Sequence, residues 1–321
     1  MSEVALSIGA GLIAFGPLMA LFSNIVYSKA QLVIVVTSSA FFFLLSTVVA
    51  SLFWTVFHYV GLRGPLAGIV PGVLAQFAFR CWFVAVYHRV EKAIQRTVEN
   101  HEAEDAQRMP SNETARRDGA ESTTGSDGED KNQWTVVAKL RLELNDASCG
   151  IAAGVGFGGM HAVLLYGSLL ASEMTNNIGV LYQQSCPTMP SLAVSAVYAF
   201  CFSILDIFWM LLTFYGMRRR AMYHRGERPS DNVLREHEGA GAYLGNTREG
   251  GNMALLSVLV THFLVSILTT ADYFRFGCIV SLPATGVMVL VVAYWFWAGV
   301  GRIFMPPQVD EVANDYNQHD D

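Results

Sequence analysis

The chain has 321 residues, of which 52% are hydrophobic and only 15% are charged. Soluble domains carry about 25% charged residues, and the charges here are concentrated between long uncharged runs, so an ordinary soluble fold is excluded. The net charge of −6 comes mostly from loops and the C-terminal tail, and it gives no reason to expect a nucleic-acid partner. The sequence therefore predicts an all-α, polytopic membrane protein.

Seven apolar runs are long enough to cross a bilayer as helices. In chain order they cover residues 4–27, 30–62, 64–88, 147–172, 191–216, 253–270 and 276–301. The first run lacks a basic flank and is longer than the ~7–15 apolar residues of a signal peptide. We therefore expect it to be retained as the first of seven spans in a single membrane domain, 1–321.

Three segments outside the spans are rich in charged or polar residues. Residues 90–146 are predicted to form a cytosolic flexible loop with a helical start, 217–252 a cytosolic charged loop, and 302–321 a cytosolic acidic tail. A further polar connector, 172–190, joins the fourth and fifth spans. We make no prediction for what the two long loops do.

The distribution of basic residues predicts the orientation in the membrane. Of the 21 Lys and Arg residues, 18 fall on the cytosolic side if the N-terminus is outside, and only two fall in the outer connectors. Cytosolic loops carry the excess of Lys and Arg, so we predict an exoplasmic N-terminus and a cytosolic C-terminus. The sequon at Asn112 then lies in the cytosol and should carry no glycan.

The fourth span contains glycine at every fourth position, namely Gly150, Gly154 and Gly158. On a helix these residues form one stripe without side chains, which lets the backbone of another helix come into close contact. The stripe indicates either a docking groove for transmembrane helices of other subunits or packing against helices of the same bundle. The tandem repeat favours the docking groove.

Polar residues inside the spans are costly and usually have a partner or a function. By helix rise, Asp206 lies about 18 Å and His262 about 15 Å from the cytosolic end of consecutive antiparallel spans. We therefore predict an intramembrane polar pair in which His262 binds the Asp206 carboxylate; the alternative is that Asp206 faces a water pocket. Arg80 is expected to extend towards the cytosolic surface, and His161 to be a hydrogen-bonded packing residue.

No catalytic or cofactor-binding pattern is found. An aspartyl protease needs two facing carboxylates, and only one acid lies well inside a span. The G-x-S-x-G motif of a serine nucleophile does not occur. A zinc site lacks ligands, because no two histidines stand at i, i+3 or i, i+4 within a span. The five cysteines show no C-x-x-C spacing and an odd count, so neither a disulfide framework nor a metal site is predicted. The sequence indicates a protein that is not itself an enzyme and needs no cofactor.

In order along the chain, several motifs resemble those of the anterior-pharynx-defective (Aph) subunit of γ-secretase. They are Ala14-Phe15-Gly16-Pro17 with Ala20-Leu21-Phe22, Ala40-Phe41-Phe42 with Ala50-Ser51 and Trp54, Gln76 with Phe79-Arg80, the three glycines, Phe208-Trp209, and His262. The resemblance covers all the spans but not the two long loops. One of the family's two intramembrane histidines corresponds to His262, whereas the other is replaced by Asp206.

The resemblance implies a non-catalytic scaffold that holds the presenilin-type catalytic subunit, nicastrin and the presenilin-enhancer subunit in one complex. It also implies a multi-pass protein of the endoplasmic reticulum, Golgi and plasma membrane, in contact with membrane lipid. Two alternatives share the seven-span topology: a receptor, and a transporter that uses Asp206 and His262 as a proton relay. The receptor lacks support from a D-R-Y or N-P-x-x-Y motif, and the transporter from related halves.

Overall fold

The structure is a computed structural model that describes residues 3–27, 29–61, 64–115, 146–176, 182–224 and 248–300. The chain divides into two compact units, one made of Met1–Phe83 and Asp146–Asp321 and the other of Val84–Asn145. In the described residues the second unit consists of the continuation of the third helix as far as Ala115.

The described residues include seven helices that are long and apolar enough to cross a membrane, which confirms the predicted all-α polytopic fold. The spans lie within seven helical segments: Glu3–Leu21 with Phe22–Val26, Ala30–Tyr59, Pro65–Ala115, Asp146–Ala162 with Val163–Gly167 and Ser168–Asn176, Ser191–His224, Arg248–Leu268 with Thr269–Tyr273, and Cys278–Val300. The third and fifth helices extend well past the apolar runs, because hydropathy marks the edge of the bilayer and not the end of a helix. The remaining parts of the predicted loops and the tail, 116–145, 225–247 and 301–321, lie outside the described residues.

The fifth span is the centre of the bundle. In the most apolar stretch of 18 residues of this span, 78% of the residues are buried, compared with 17% in the corresponding stretches of the first and seventh spans. One apolar cluster joins it to the sixth and seventh spans through residues such as Trp209, Val258 and Val292. A second cluster, which includes Ala14 and Val155, joins it to the first and fourth spans. The first, second and seventh spans, here called the outer spans, consequently leave most of their apolar surface for lipid or for other membrane helices.

Two spans contain a π-helical turn, in which one extra residue is accommodated. The first span ends in such a turn, Phe22–Val26, and the fourth is divided by another, Val163–Gly167. Within the second turn Tyr166 is buried and its hydroxyl donates to the Ser7 carbonyl at 2.7 Å, which ties the fourth span to the first.

The connector between the fourth and fifth spans forms a two-stranded antiparallel hairpin, Tyr182–Gln183 with Cys186–Pro190. A disulfide joins Cys186 to Cys278 at the start of the seventh span, with 5.3 Å between the Cα atoms. The prediction that the cysteines form no disulfide is therefore wrong for these two. They are 92 residues apart in sequence, and only the folded connectors bring them together. Cys81, Cys149 and Cys201 are not part of a disulfide.

Candidate functional site: a buried charge cluster beside the glycine helix

A pair of opposite charges lies at the centre of the bundle. The Arg80 guanidinium on the third span forms an ion pair with the Asp206 carboxylate on the fifth, and both side chains are completely buried. A single buried charge costs several kcal/mol, whereas a close pair offsets much of that cost for both partners. The two charges therefore stabilise each other, and together they fix the third span against the fifth.

Two histidines from other spans complete the cluster. His161, on the fourth span, has Nδ1 2.9 Å from Asp206 Oδ2, the oxygen that Arg80 leaves open. His262, on the sixth span, accepts at Nδ1 from Arg80 Nη1 at 3.2 Å. Four consecutive spans thus contribute one polar side chain each, and every contact between these side chains joins two different spans.

Aromatic rings enclose the guanidinium. The Arg80 Cζ atom lies 5.3 Å from the centroid of the Phe157 ring and 5.0 Å from that of Trp209. The imidazole of His262 stacks on Trp209 with 4.4 Å between ring centroids, and the Trp209 indole donates to Thr261 Oγ1 at 2.9 Å. Such cation–π contacts contribute about 2 kcal/mol or more when the cation is desolvated, so the rings help to hold the charge inside the membrane.

The structure revises the sequence-based interpretation of these residues. Asp206 and His262 do belong to one buried polar cluster, but Arg80 lies between them, and the acid binds Arg80 and His161. The expectation that Arg80 extends to the cytosolic surface is wrong, because its side chain is fully buried in the middle of the span Pro65–Ile94. Either end of that span is about 21 Å away by helix rise, which is farther than an arginine side chain reaches.

A signal for the missed partner was present in the sequence. One basic residue, Arg80, and one acidic residue, Asp206, lie deep inside apolar runs of the sequence. Intramembrane charges tend to pair with one another, so opposite charges at such depth predict an ion pair. For His161 the sequence offers no such signal, since the rotation of the fourth span decides where its imidazole lies.

The glycine stripe faces the chain's own fifth span. A Cβ atom added at Gly154 would lie 2.5 Å from Ile207 Cα, one at Gly158 would lie 2.9 Å from the Ser203 carbonyl oxygen, and one at Gly150 would lie 2.9 Å from a Leu211 methyl carbon. Backbone and side-chain atoms of one helix therefore fill the stripe along its whole length. The prediction of a docking groove for other subunits at this stripe is corrected to its alternative, packing within the bundle.

Another glycine of the same helix, Gly156, allows close contact with the second span on the opposite side. Space for a side chain at Gly156 is taken by the second span, at Ser39 and Val36. The Ser203 hydroxyl also donates to the Gly158 carbonyl at 3.1 Å. The fourth span is thus held in backbone-level contact between the second and fifth spans, which brings His161 close enough to bind Asp206.

Two cavities with mixed polar and apolar linings reach the cluster at His161. One, of about 340 Å³, lies between the third and sixth spans and is lined by Gln76, His161, His262 and Ser266 among others. The second, here called the hairpin cavity, has about 510 Å³ and extends from Gln183 of the hairpin down to His161 and Phe202. In the described residues no group of three or more His, Cys, Asp or Glu side chains is arranged to hold a metal ion.

The comparisons with known proteins agree with the motifs and with the seven-span bundle. The family described as Aph-1 protein matches residues 5–302. The chain is also similar to the γ-secretase subunit APH1-like of Arabidopsis thaliana, with 23% identity over 284 residues that cover 87% of this chain and 86% of the relative. The integral membrane protein described here is therefore a member of the Aph-1 family.

Proposed function

We propose that the chain is a non-catalytic scaffold subunit of an intramembrane aspartyl protease complex of the γ-secretase type. The observation that carries the proposal is the family match over nearly the whole chain, together with a relative named as a γ-secretase subunit. By the same resemblance, its partners are a presenilin-type catalytic subunit, nicastrin and the presenilin-enhancer subunit. It acts in the endoplasmic reticulum, Golgi and plasma membrane.

The arrangement of charges supports a structural role. Asp206 is paired with Arg80 and bound by His161, and its ion pairs and hydrogen bonds in the described residues include no second carboxylate of the kind with which an aspartyl protease activates water. The same geometry argues against the relay alternative, because Asp206 and His262 each bind Arg80 and no hydrogen bond between the two is found in the described residues. A cluster that joins four spans suits a subunit whose task is to keep a fixed shape.

The surface that receives partner helices lies on the outer spans. The glycine stripe is occupied internally, whereas the first, second and seventh spans have only 17%, 22% and 17% of their apolar windows buried. Large side chains such as Leu12, Leu52 and Leu290 are more than 60% exposed there. In a bilayer, helices associate through close van der Waals packing and not through apolar burial, so these faces are available to other subunits and to lipid.

The disulfide supports the orientation inferred from the basic residues. Cys186 lies in the connector between the fourth and fifth spans and Cys278 next to the connector between the sixth and seventh. Both connectors are exoplasmic when the N-terminus is outside. Disulfides persist in oxidising compartments and are rare in the cytosol, so a bond at this end of the bundle favours an exoplasmic N-terminus.

Co-purification in a mild detergent tests the proposal. The tagged chain should bring down the presenilin-type subunit, nicastrin and the enhancer subunit in equal molar amounts. A folded, monodisperse chain that is recovered without these proteins would refute the scaffold role. The variant Leu290→Trp on the seventh span then tests whether an outer face makes the contact. Leu256→Trp, at a half-exposed leucine of the sixth span, is the matched control.

A further inference from the structure

In the part of the chain that the structure describes, a disulfide and two backbone hydrogen bonds join the hairpin to the start of the seventh span and to the connector before it. The disulfide of Cys186 and Cys278 is the covalent one, and both residues are buried. Two backbone hydrogen bonds run beside it, from Phe276 N to the Gln184 carbonyl and from Cys278 N to the Ser185 carbonyl, each at 3.1 Å. We call this joined segment, residues 182–190 with 274–278, the strap.

The end of the hairpin cavity that is lined by Gln183 and Asp272 is here called its rim, and the strap reaches this rim through Gln183. Gln183 from the hairpin and Asp272, just before the turn to the seventh span, both line the cavity, and His161 lies at its inner end. Asp272 is itself held in place, because Tyr198 Oη donates to its Oδ2 at 2.6 Å and Ser281 Oγ donates to its Oδ1 at 2.5 Å. The rim therefore consists of two connectors that are tied to each other and to the fifth and seventh spans.

We propose that the disulfide is a covalent latch that sets the width of the hairpin cavity at its rim and so limits the access of aqueous solutes to His161. Local opening of connectors is normally inexpensive because they bury little apolar surface. A crosslink that closes a loop of 92 residues removes most of the open conformations. Without it, the two backbone hydrogen bonds still join the connectors and Asp272 keeps its contacts with Tyr198 and Ser281, but no covalent bond among the described residues holds the rim.

Formation of the latch needs an oxidant of defined chemistry. The two thiols become one disulfide by exchange with a disulfide-bearing oxidoreductase: the Cys186 thiolate attacks the donor disulfide, one donor thiol leaves, and the Cys278 thiolate then displaces the second donor thiol. Two protons and two electrons pass from the chain to the donor. The partner class is thus an exoplasmic thiol–disulfide oxidoreductase, which acts before the cavity reaches its final shape.

A cysteine reporter inside the cavity tests the latch on the full chain in its native membrane. Ser195 lines the hairpin cavity, so S195C is labelled with a water-soluble, membrane-impermeant maleimide, with the disulfide intact and in a C186A/C278A background. We expect labelling about tenfold faster without the disulfide, a factor that corresponds to ~1.4 kcal/mol of opening cost removed. Y59C, at a position 86% exposed outside the cavity, should be labelled equally fast in both backgrounds.

Equal labelling of S195C in both backgrounds would overturn the proposal, as would a free Cys186 thiol in untreated protein, detected by a gel shift with a polymer-linked maleimide. Should the double variant not fold, the folded protein is reduced instead with a membrane-impermeant phosphine, which takes up the oxygen of water and leaves two thiols. The labelling of S195C before and after reduction then decides. None of these outcomes depends on whether other subunits co-purify.

Discussion

Removal of one charge from the buried ion pair should be far more damaging than removal of both. In Arg80→Met, the Asp206 carboxylate stays fully buried and keeps only its contact with His161 at 2.9 Å. In Asp206→Leu, the guanidinium keeps the His262 contact at 3.2 Å and its two aromatic rings. An unpaired buried charge costs about 3–5 kcal/mol, so each single variant should lose stability by that amount. At the ~2–4 °C per kcal/mol found for domains of 150–250 residues, this is a fall in Tm of about 6–20 °C.

The double variant Arg80→Met with Asp206→Leu removes both charges and fills the space with apolar atoms. Replacement of a buried ion pair by apolar side chains is often neutral, so its Tm should lie close to that of the wild type and above that of either single variant. Thermal aggregation of detergent-purified protein, followed by size-exclusion chromatography, measures these values. Thr37→Val, which removes an exposed hydroxyl bonded to its own helix, is the control and should change little.

Additive losses in this cycle would refute the reasoning. Two independent losses would sum to about 6–10 kcal/mol and the double variant would be the least stable. That outcome would mean that the two side chains do not compensate each other in the membrane. The ion pair would then not be the contact that holds the third span to the fifth.

Further expectations concern the glycine helix, the rim of the cavity and the orientation. Gly154→Ala should lower the free energy of unfolding by about 1–3 kcal/mol, because the new methyl group meets the Ile207 backbone and this overpacking outweighs the ~1 kcal/mol gain in helix propensity. Gly159→Ala is the control: a Cβ atom there meets nothing within 4 Å, so the Tm should be unchanged or higher. Tyr198→Phe should lose about 1–3 kcal/mol, since it removes the donor to Asp272, and an unchanged Tm would show that the contact is dispensable. Treatment with a glycosidase should not shift Asn112-containing protein on a gel, and a glycan there would place that segment on the exoplasmic side.

Apolar run length is sufficient to predict the spans. In lipid the backbone hydrogen bonds must be made within the segment itself. A run of about 20 apolar residues therefore forms a transmembrane helix, and seven such runs give seven helices. The glycine periodicity likewise predicts that a helix backbone comes close to Gly154. It does not identify that helix, since a bare backbone admits any neighbour, and the choice of the fifth span depends on the order of helices in the bundle.

The charge cluster and the disulfide depend on three-dimensional position. Arg80 and His161 can bind Asp206 only for one rotation of each span, and helices with apolar residues on all sides give no pattern from which rotation can be read. Cys186 and Cys278 are paired because two connectors fold over the same end of the bundle. Depth along the membrane can be counted from a sequence, whereas the direction in which a side chain leaves its helix cannot.

The π-helical turn Val163–Gly167 changes how the fourth span should be compared with its relatives. Each residue advances an α-helix by about 100°, so one residue more in this turn swings everything after it by that angle. The glycines before the turn keep their contacts with the fifth span, while Tyr166 is directed to the first span and reaches Ser7. A relative that lacks the extra residue would have to be aligned with a gap here, and deletion of a single residue from 163–167 should turn the second half of the helix away from its neighbours without disturbing the first.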